Sequence, residues 1–446
     1  MRIGTGTTQP QSADERVIEC LPANADVEVI CSSFDFGQLS TPGNSAFLAG
    51  AGIEIPDSIL NDHYSRLLDQ LNNQRIASCH KITSPEALFC EFPLTERVVN
   101  NVLSGRRAVA NAMNFSRRGL PDDKIVIFGG PCSIESPDTA LEFAYAMQPY
   151  IDATKENILF VMRVNYEKPR TMVTGPEHWQ GIFPQPHLDG TMDYETGMRI
   201  VRKLLLDINN LGIPCAAEAL SQTGCQYFDD LLSFVWLGAR NSSGHDLRNI
   251  FSGISAPVGL KHGLDGNYDT AAGNLATITS PQGFLGTSKL GESMVFDSIG
   301  NTDASIILRG TEEFGPNYDQ DSIAQVSAAL EKRGLPVRLM VDCSHNNSGS
   351  KKSKHWKNQL PAFDAISDSV IDTWATRAIW AIMVESHLQE GKQSFPNAEQ
   401  IKQIQNRGQT VLEACQRGVS LTDGCISAKD AGERMVALSD RISKLK

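Results

Sequence analysis

The chain has no run of about 18 apolar residues, the length a helix needs to cross a bilayer. Its first residues, Met1-Arg2-Ile3-Gly4-Thr5-Gly6-Thr7-Thr8, lack the apolar core of a secretory signal. Together these absences predict a cytoplasmic protein without membrane partners. Ten cysteines are spread along 446 residues with no CxxC pair, which predicts reduced thiols and excludes a disulfide scaffold. Positive charge is in short supply: 40 Lys and Arg stand against 52 Asp and Glu, a net −12. That field repels nucleic acid, although a local basic cluster can still take small anions. Several enzyme signatures are missing as well, namely GxxxxGK[ST], HExxH, GxSxG, and a GxGxxG that follows a strand. Gly4-Thr5-Gly6 is attached to no strand and carries no weight.

What is present is a pattern. Eight short apolar runs, at residues 124–128, 158–162, 213–217, 234–239, 257–260, 305–308, 337–341 and 379–384, each end in a charged or metal-binding residue. At or just beyond their ends stand Cys132, Arg163, Glu218, Arg240, Lys261, Arg309, His345 and Glu385. Amphipathic stretches at 138–146, 197–211, 225–232 and 322–333 separate some of the runs and are long enough for crossover helices. A (β/α)8 barrel builds its site this way, on one face, from the ends of different strands. The expected fold is therefore an α/β (β/α)8 TIM barrel at 86–446 with an N-terminal extension, 1–85. That extension mixes Gly, Thr, Ser and Pro with β-like runs at 27–31 and 46–48 and a helix-like stretch at 59–72. A further helical pattern covers 96–113. Two long loops follow the second and seventh runs, at 168–193 and 346–363. The second carries Lys351, Lys352, Lys354, His355 and Lys357, for which a solvated helix start is the expected reading.

Two constellations carry chemistry. Cys132, His345 and Glu385 follow runs one, seven and eight, which become neighbours once a barrel closes. One thiolate, one imidazole and one carboxylate suit Mn, Fe, Co or Zn better than Mg or Ca. Asp423, beyond the last run, offers a fourth ligand. A cysteine after a strand is also an ordinary small core residue, and spacing leaves both readings open. The second constellation is cationic: Arg163, Lys168, Arg170, Arg240, Lys261 and Arg309. Each alone is an ordinary ion-pair partner. Six at one barrel mouth repel each other unless anions fill the site, which predicts substrates carrying phosphates and carboxylates.

The motifs that carry these residues resemble a known family. Gly130-Pro131-Cys132-Ser133-Ile134, Met162-Arg163-Val164, Lys168-Pro169-Arg170-Thr171, Gly238-Ala239-Arg240, Gly259-Leu260-Lys261, Ile307-Leu308-Arg309-Gly310, Ser344-His345 and Met383-Val384-Glu385-Ser386-His387-Leu388 occur in order. From Pro85 to the C-terminus the chain looks like class I 3-deoxy-D-arabino-heptulosonate 7-phosphate (DAHP) synthase, the entry enzyme of the shikimate pathway and of aromatic amino acid biosynthesis. The resemblance implies a divalent metal on Cys132, His345, Glu385 and Asp423. It implies phosphoenolpyruvate held by Arg163, Lys168, Glu218, Arg240, Lys261 and Arg309. Erythrose 4-phosphate would be held by Lys168, Pro169, Arg170 and Thr171. Arg163, Lys168 and Glu218 are the implied catalytic groups, with Lys168 protonating the new alkoxide and Glu218 orienting water. A cytoplasmic homodimer or homotetramer is implied too.

The chain also departs from the family pattern. Asn241-Ser242-Ser243-Gly244 replaces a Thr/Thr/Glu/Ser-like run that borders phosphoenolpyruvate. A helix-like insertion around 397–415 lengthens the span from Glu385 to Asp423. Phe284-Leu285-Gly286 falls where the family forms its aromatic-effector cavity, and Gly there leans toward Tyr rather than Phe as inhibitor. The alternatives to primary metabolism are a synthase of secondary metabolism, or a regulatory barrel that has lost turnover.

Overall fold

A computed structural model describes residues 75–114, 124–169, 178–350, 352–374 and 378–446. The β-like runs at 27–31 and 46–48, the helical stretch at 59–72, Arg170, Thr171 and Lys351 lie outside the described residues. The chain divides into two units, Met1–Lys81 and Ile82–Lys446.

The second unit opens with helices α1 (Pro85–Glu91) and α2 (Glu96–Met113). The side chains of Ser84 and Thr95 cap their N-termini, supplying acceptors for N–H groups that have no partner within the helix. Then strands and helices alternate: β1 (Ile125–Gly130), α3 (Pro137–Thr154), β2 (Ile158–Arg163), α4 (Tyr194–Asn210), β3 (Cys215–Ala219), α5 (Gln222–Phe228), β4 (Phe234–Leu237), α6 (His245–Phe251), β5 (Val258–Lys261) and α7 (Tyr268–Thr279). An antiparallel hairpin, β6 (Gly283–Thr287) with β7 (Ser293–Asp297), interrupts the alternation outside the barrel. The order resumes with β8 (Ala304–Leu308), α8 (Gln320–Glu331), β9 (Leu339–Asp342), α9 (Gln359–Asp372) and β10 (Ile379–His387). After it come α10 (Ala398–Asn406), α11 (Val411–Ala414), β11 (Ile426–Ser427) and α12 (Ala428–Ser443).

Strands β1, β2, β3, β4, β5, β8, β9 and β10 pair in that order, all parallel, and β10 returns to β1. The sheet is a closed eight-stranded barrel, as expected from the eight apolar runs. Strand β3 begins two residues later than its run because Pro214 has no N–H to give the ladder. The barrel strands are almost wholly buried because helices cover them outside and side chains fill them inside. Inside, Phe128 packs on Phe234 with ring centroids 4.7 Å apart and meets Trp380 edge-on at 5.9 Å. Val109, Ala112 and Met113 of α2 join this inner cluster with Val126, Met340 and Ala381.

Between Glu385 and Asp423 the chain makes a long excursion from the barrel. Helices α10 and α11 both carry full capping boxes, so they hold as short helices. Its base is sewn shut. Gly391 exchanges backbone hydrogen bonds with Cys425, and Ser386 and His387 pair with Ile426 and Ser427. That pairing returns Asp423 to the end of β10 whatever the length of the excursion.

Candidate active site

Strand ends place the candidate groups around one cavity of about 480 Å³, lined by Lys168, Pro169, Glu218, Arg240, Lys261, Arg309, His345 and Asp423 among others. On one side stand the anionic donors. Cys132 Sγ, a Glu385 carboxylate oxygen and an Asp423 carboxylate oxygen lie within 4.8 Å of one another. The Cys132 loop follows β1, Glu385 lies on β10, and these strands pair side by side at Gly130 and Glu385. Lys168 Nζ sits 2.7 Å from Cys132 Sγ and 3.8 Å from Asp423 Oδ2. Burial, then the Glu385 carboxylate, push the Cys132 thiol up to about 11. Asp423 is only half-buried, and against what burial it has, Lys168, Lys354, His345 and Lys392 hold it far below the usual carboxylate range.

His345 completes the group from the end of β9 but is turned differently. Its Nδ1 lies 2.9 Å from Asp342 Oδ2 and 2.6 Å from Ser344 Oγ. An Nδ1–H given to Asp342 leaves the Nε2 lone pair for a cation, the usual outer-sphere arrangement of a metal-binding histidine. Burial, then Lys261, lower its pKa to about 4, so the ring is a neutral donor at physiological pH. The residue has φ of 55°, a left-handed conformation that a side chain with Cβ adopts at a cost of about 1 kcal/mol. A soft thiolate, a neutral imidazole and two carboxylates together fit a divalent transition ion.

The cations face these groups. Arg163 is almost fully buried at the end of β2; one nitrogen donates to Glu385 Oε1 at 2.9 Å. Its Nε and Nη1 are buried with no hydrogen-bond partner, and its guanidinium lies 5.4 Å from the Trp236 ring centroid. Buried donors of a charged group left open in this way are costly unless an acceptor arrives. Lys261 is paired with Asp342 at 2.9 Å, both buried. Against burial, Lys261 and then His345 hold Asp342 well below the carboxylate range. Burial lowers the Arg309 pKa, and Arg240 and Arg309 both line the cavity. Glu218 enters from β3, its backbone N–H bonded to Asn165 Oδ1 at 3.2 Å. It lies so near β4 that a Cβ on Gly238 would stand 2.0 Å from its Oε1.

Four cavity residues have no counterpart in the reading of the sequence as site groups: His178, Glu312, Asn346 and Lys354. Lys354 adds to an expectation. It is exposed, as a solvated helix start implies, but it also pairs with Asp423 at 3.5 Å and lines the cavity. Lys357, with Glu390 at 3.0 Å and largely exposed, does fit that expectation. Glu167, next to Lys168, was also passed over. Burial, then Glu218, push its carboxyl up to about 7. The unusual 241–244 segment is a turn that carries β4 into α6: Gly244 N–H bonds Asn241 O at 2.9 Å, and Ser243 Oγ accepts from Asn274 at 3.3 Å.

A larger cavity, about 550 Å³, lies away from the strand ends, between α5, α6 and the β6–β7 hairpin. Phe284 and Phe296, stacked at 5.6 Å, form part of its wall with Asp229, Ser252 and Ser298.

Residues 116–416 match the DAHP synthetase I family. The phospho-2-dehydro-3-deoxyheptonate aldolase, Phe-sensitive, of Escherichia coli K12 is 36% identical over 373 residues, 84% of this chain and 98% of that protein. The Tyr-sensitive aldolase of the same organism is 35% identical over 361 residues, 80% of this chain and 92% of that protein. Among solved structures, the phospho-2-dehydro-3-deoxyheptonate aldolase of Francisella tularensis SCHU S4 superposes with a TM-score of 0.74 at 29% identity, covering 83% of this chain and 99% of that one.

Proposed function

Because the chain belongs to the DAHP synthetase I family, we propose that it condenses phosphoenolpyruvate with erythrose 4-phosphate and water, giving DAHP and phosphate at the head of the shikimate pathway. The observation that carries the reading is cationic: Lys168, Arg240, Lys261 and Arg309 line one cavity, and Arg163, buried at the end of β2, holds two open guanidinium donors. Such a pocket favours a small polyanion held through forked contacts.

Cys132, His345, Glu385 and Asp423 would hold a divalent metal (Mn, Fe, Co or Zn), which when bound supplies Lewis-acid activation of the aldehyde. Arg163, Arg240, Lys261 and Arg309 clamp phosphoenolpyruvate. Pro169 lines the path of the aldose, and Arg170 and Thr171 take its phosphate. C3 of phosphoenolpyruvate then attacks the aldehyde carbon, with both anions fixed so that positioning supplies much of the rate. Lys168 delivers a proton to the new alkoxide. Glu218 orients the water that adds at C2, and the adduct releases phosphate by C–O cleavage. A Lys168→Ala or Glu218→Gln variant with wild-type turnover would remove that residue from its role.

The deciding experiment is phosphate release by metal-stripped protein, with and without erythrose 4-phosphate, before and after Mn²⁺. The expected result is release that needs both aldose and metal. Release with neither metal nor aldose required, or no release at all, would overturn the reading.

Regulation belongs to the same proposal. The cavity walled by Phe284 and Phe296 would take an aromatic amino acid, Tyr in preference to Phe, as feedback inhibitor, in line with the Phe- and Tyr-sensitive names of its relatives. Residues 1–85 would serve regulation or assembly beside the catalytic barrel, 86–446, in a cytoplasmic homodimer or homotetramer. No helix among the described residues is long and apolar enough to cross a membrane, and the eight described cysteines are free thiols, as a reducing compartment requires.

A further inference from the structure

His262 follows Lys261 at the end of β5, is fully buried, and is not among the residues that line the cavity. Its Nδ1 is 2.8 Å from Gly263 O, so the proton sits there and Nε2 is left as an acceptor. Two donors meet that lone pair: the backbone N–H of Arg309 at 3.2 Å and Asn317 Nδ2 at 2.9 Å. Asn317 in turn accepts from the backbone N–H of Gly310 at 2.7 Å and gives its own backbone N–H to Asn347 Oδ1 at 2.8 Å. Asn347 Nδ2 donates to Asp342 O at 2.8 Å and to Leu308 O at 3.3 Å. Finally, the backbone N–H groups of Asn346 and Asn347 both point at Arg309 O, at 3.0 and 3.2 Å.

The peptide groups on both sides of Arg309 are therefore held, one by His262 and the other by the turn that begins at His345. Gly310 permits this closeness: its φ is 72°, and a Cβ there would stand 2.4 Å from Asn346 C. The ends of β5, β8 and β9, which carry Lys261, Arg309 and His345, are joined through one imidazole and two amides. Burial, more than any neighbour, keeps the ring neutral, with a pKa of about 4.

We propose that His262, acting with Asn317 and Asn347, is a positioning residue that aims the Arg309 guanidinium at phosphoenolpyruvate without touching the substrate. The proposal rests on the activity given above. An apolar ring at this place would orphan the Arg309 and Asn317 donors in a dry interior, and the strand end would have to shift to satisfy them.

The test compares His262→Phe, which keeps the ring and removes the acceptor, with His262→Gln, which offers a carbonyl oxygen in its place. Phosphoenolpyruvate affinity is read by quenching of tryptophan fluorescence, alongside KM for each substrate, kcat and Tm. His262→Phe should raise KM and Kd for phosphoenolpyruvate by about 10- to 100-fold and leave KM for erythrose 4-phosphate within about threefold. His262→Gln should recover most of that loss. Should His262→Phe not fold, Asn317→Ser, which leaves the imidazole in place, should weaken phosphoenolpyruvate binding in the same selective way. A lower Tm with unchanged phosphoenolpyruvate affinity would make His262 mere packing and overturn the proposal. Wild-type protein that neither binds phosphoenolpyruvate nor releases phosphate would overturn the proposed activity itself, and the positioning role with it.

Discussion

Gly238→Ala is the sharpest perturbation the active-site geometry offers. The added carbon would stand 2.0 Å from Glu218 Oε1 and 2.9 Å from its Cδ. Ordinary contact begins at roughly 3.4 Å, so the carboxylate must retreat by about 1 Å or more. It can do so cheaply, because it is the free end of a flexible chain whose backbone stays tied to Asn165. Gly238 is not among the residues with left-handed φ, so alanine suits the backbone and restricts the unfolded chain, worth about 0.4–1 kcal/mol in favour of folding. Stability should therefore hardly change, with Tm moving by about 2 °C at most. Activity should change a great deal: a group displaced by about 1 Å at the reacting centre costs on the order of 100-fold. Phosphate release at saturating substrates and Mn²⁺ measures kcat, and thermal unfolding measures Tm. The double variant Gly238→Ala/Glu218→Gln should be no slower than Glu218→Gln alone, since both act on one group. Wild-type kcat in Gly238→Ala would refute the role of Glu218 at that position, and a double variant tenfold slower than Glu218→Gln would trace the damage to something else.

Other outcomes follow from the same geometry. Arg163→Gln leaves Glu385 buried without its partner, so urea unfolding should show a loss of about 3–5 kcal/mol; the loss should shrink in excess Mn²⁺, and an equal loss with and without it would count against Glu385 as a metal donor. Glu167 has its pKa raised to about 7, so the folded chain keeps a proton that the unfolded chain gives up near 4.5, and stability falls as pH rises through that window. Glu167→Gln should then raise stability at pH 8 by at most about 3 kcal/mol and change it little near pH 4, while a pH-independent difference would contradict the assignment. Gly310→Ala forces a side chain into a left-handed position against the Asn346 backbone, and a stability loss above about 2 kcal/mol is expected from thermal or urea unfolding.

Much of this architecture was readable in the chain because the barrel repeats one simple rule. A strand buried on both faces must be apolar throughout, and its run must stop where polar chemistry begins, so runs such as 158–162 and 379–384 point directly at Arg163 and Glu385. The β6–β7 hairpin obeys no such rule. Its strands carry apolar residues such as Phe284, Leu285, Met294, Val295 and Phe296 but are mostly exposed and end in no site chemistry, so nothing in their runs tells them from barrel strands. His178, Glu312 and Lys354 reach the cavity from loops, where position depends on tertiary packing rather than on period. Lys354 looked like one lysine in a solvated run until the fold set Asp423 opposite it. Asp423 could be offered as a ligand only from its position beyond the last run, and the resemblance put it in the ligand set. Its location is fixed by the β10–β11 pairing and the Gly391–Cys425 bridge, contacts between segments too far apart in sequence for spacing to reveal.

The plug formed by α2 has a consequence for traffic. Val109, Ala112 and Met113 fill the end of the barrel where the strands begin, and Phe128, Phe234 and Trp380 make a solid floor above them. Among the described residues the active-site cavity is thus a blind cup with one rim. Two substrates must enter and two products leave past the same edge, so whichever molecule lies deepest has to arrive first and depart last. Arg163, rooted beside Trp236, marks that depth, and on the proposed activity the anion bound there would set the order of the queue.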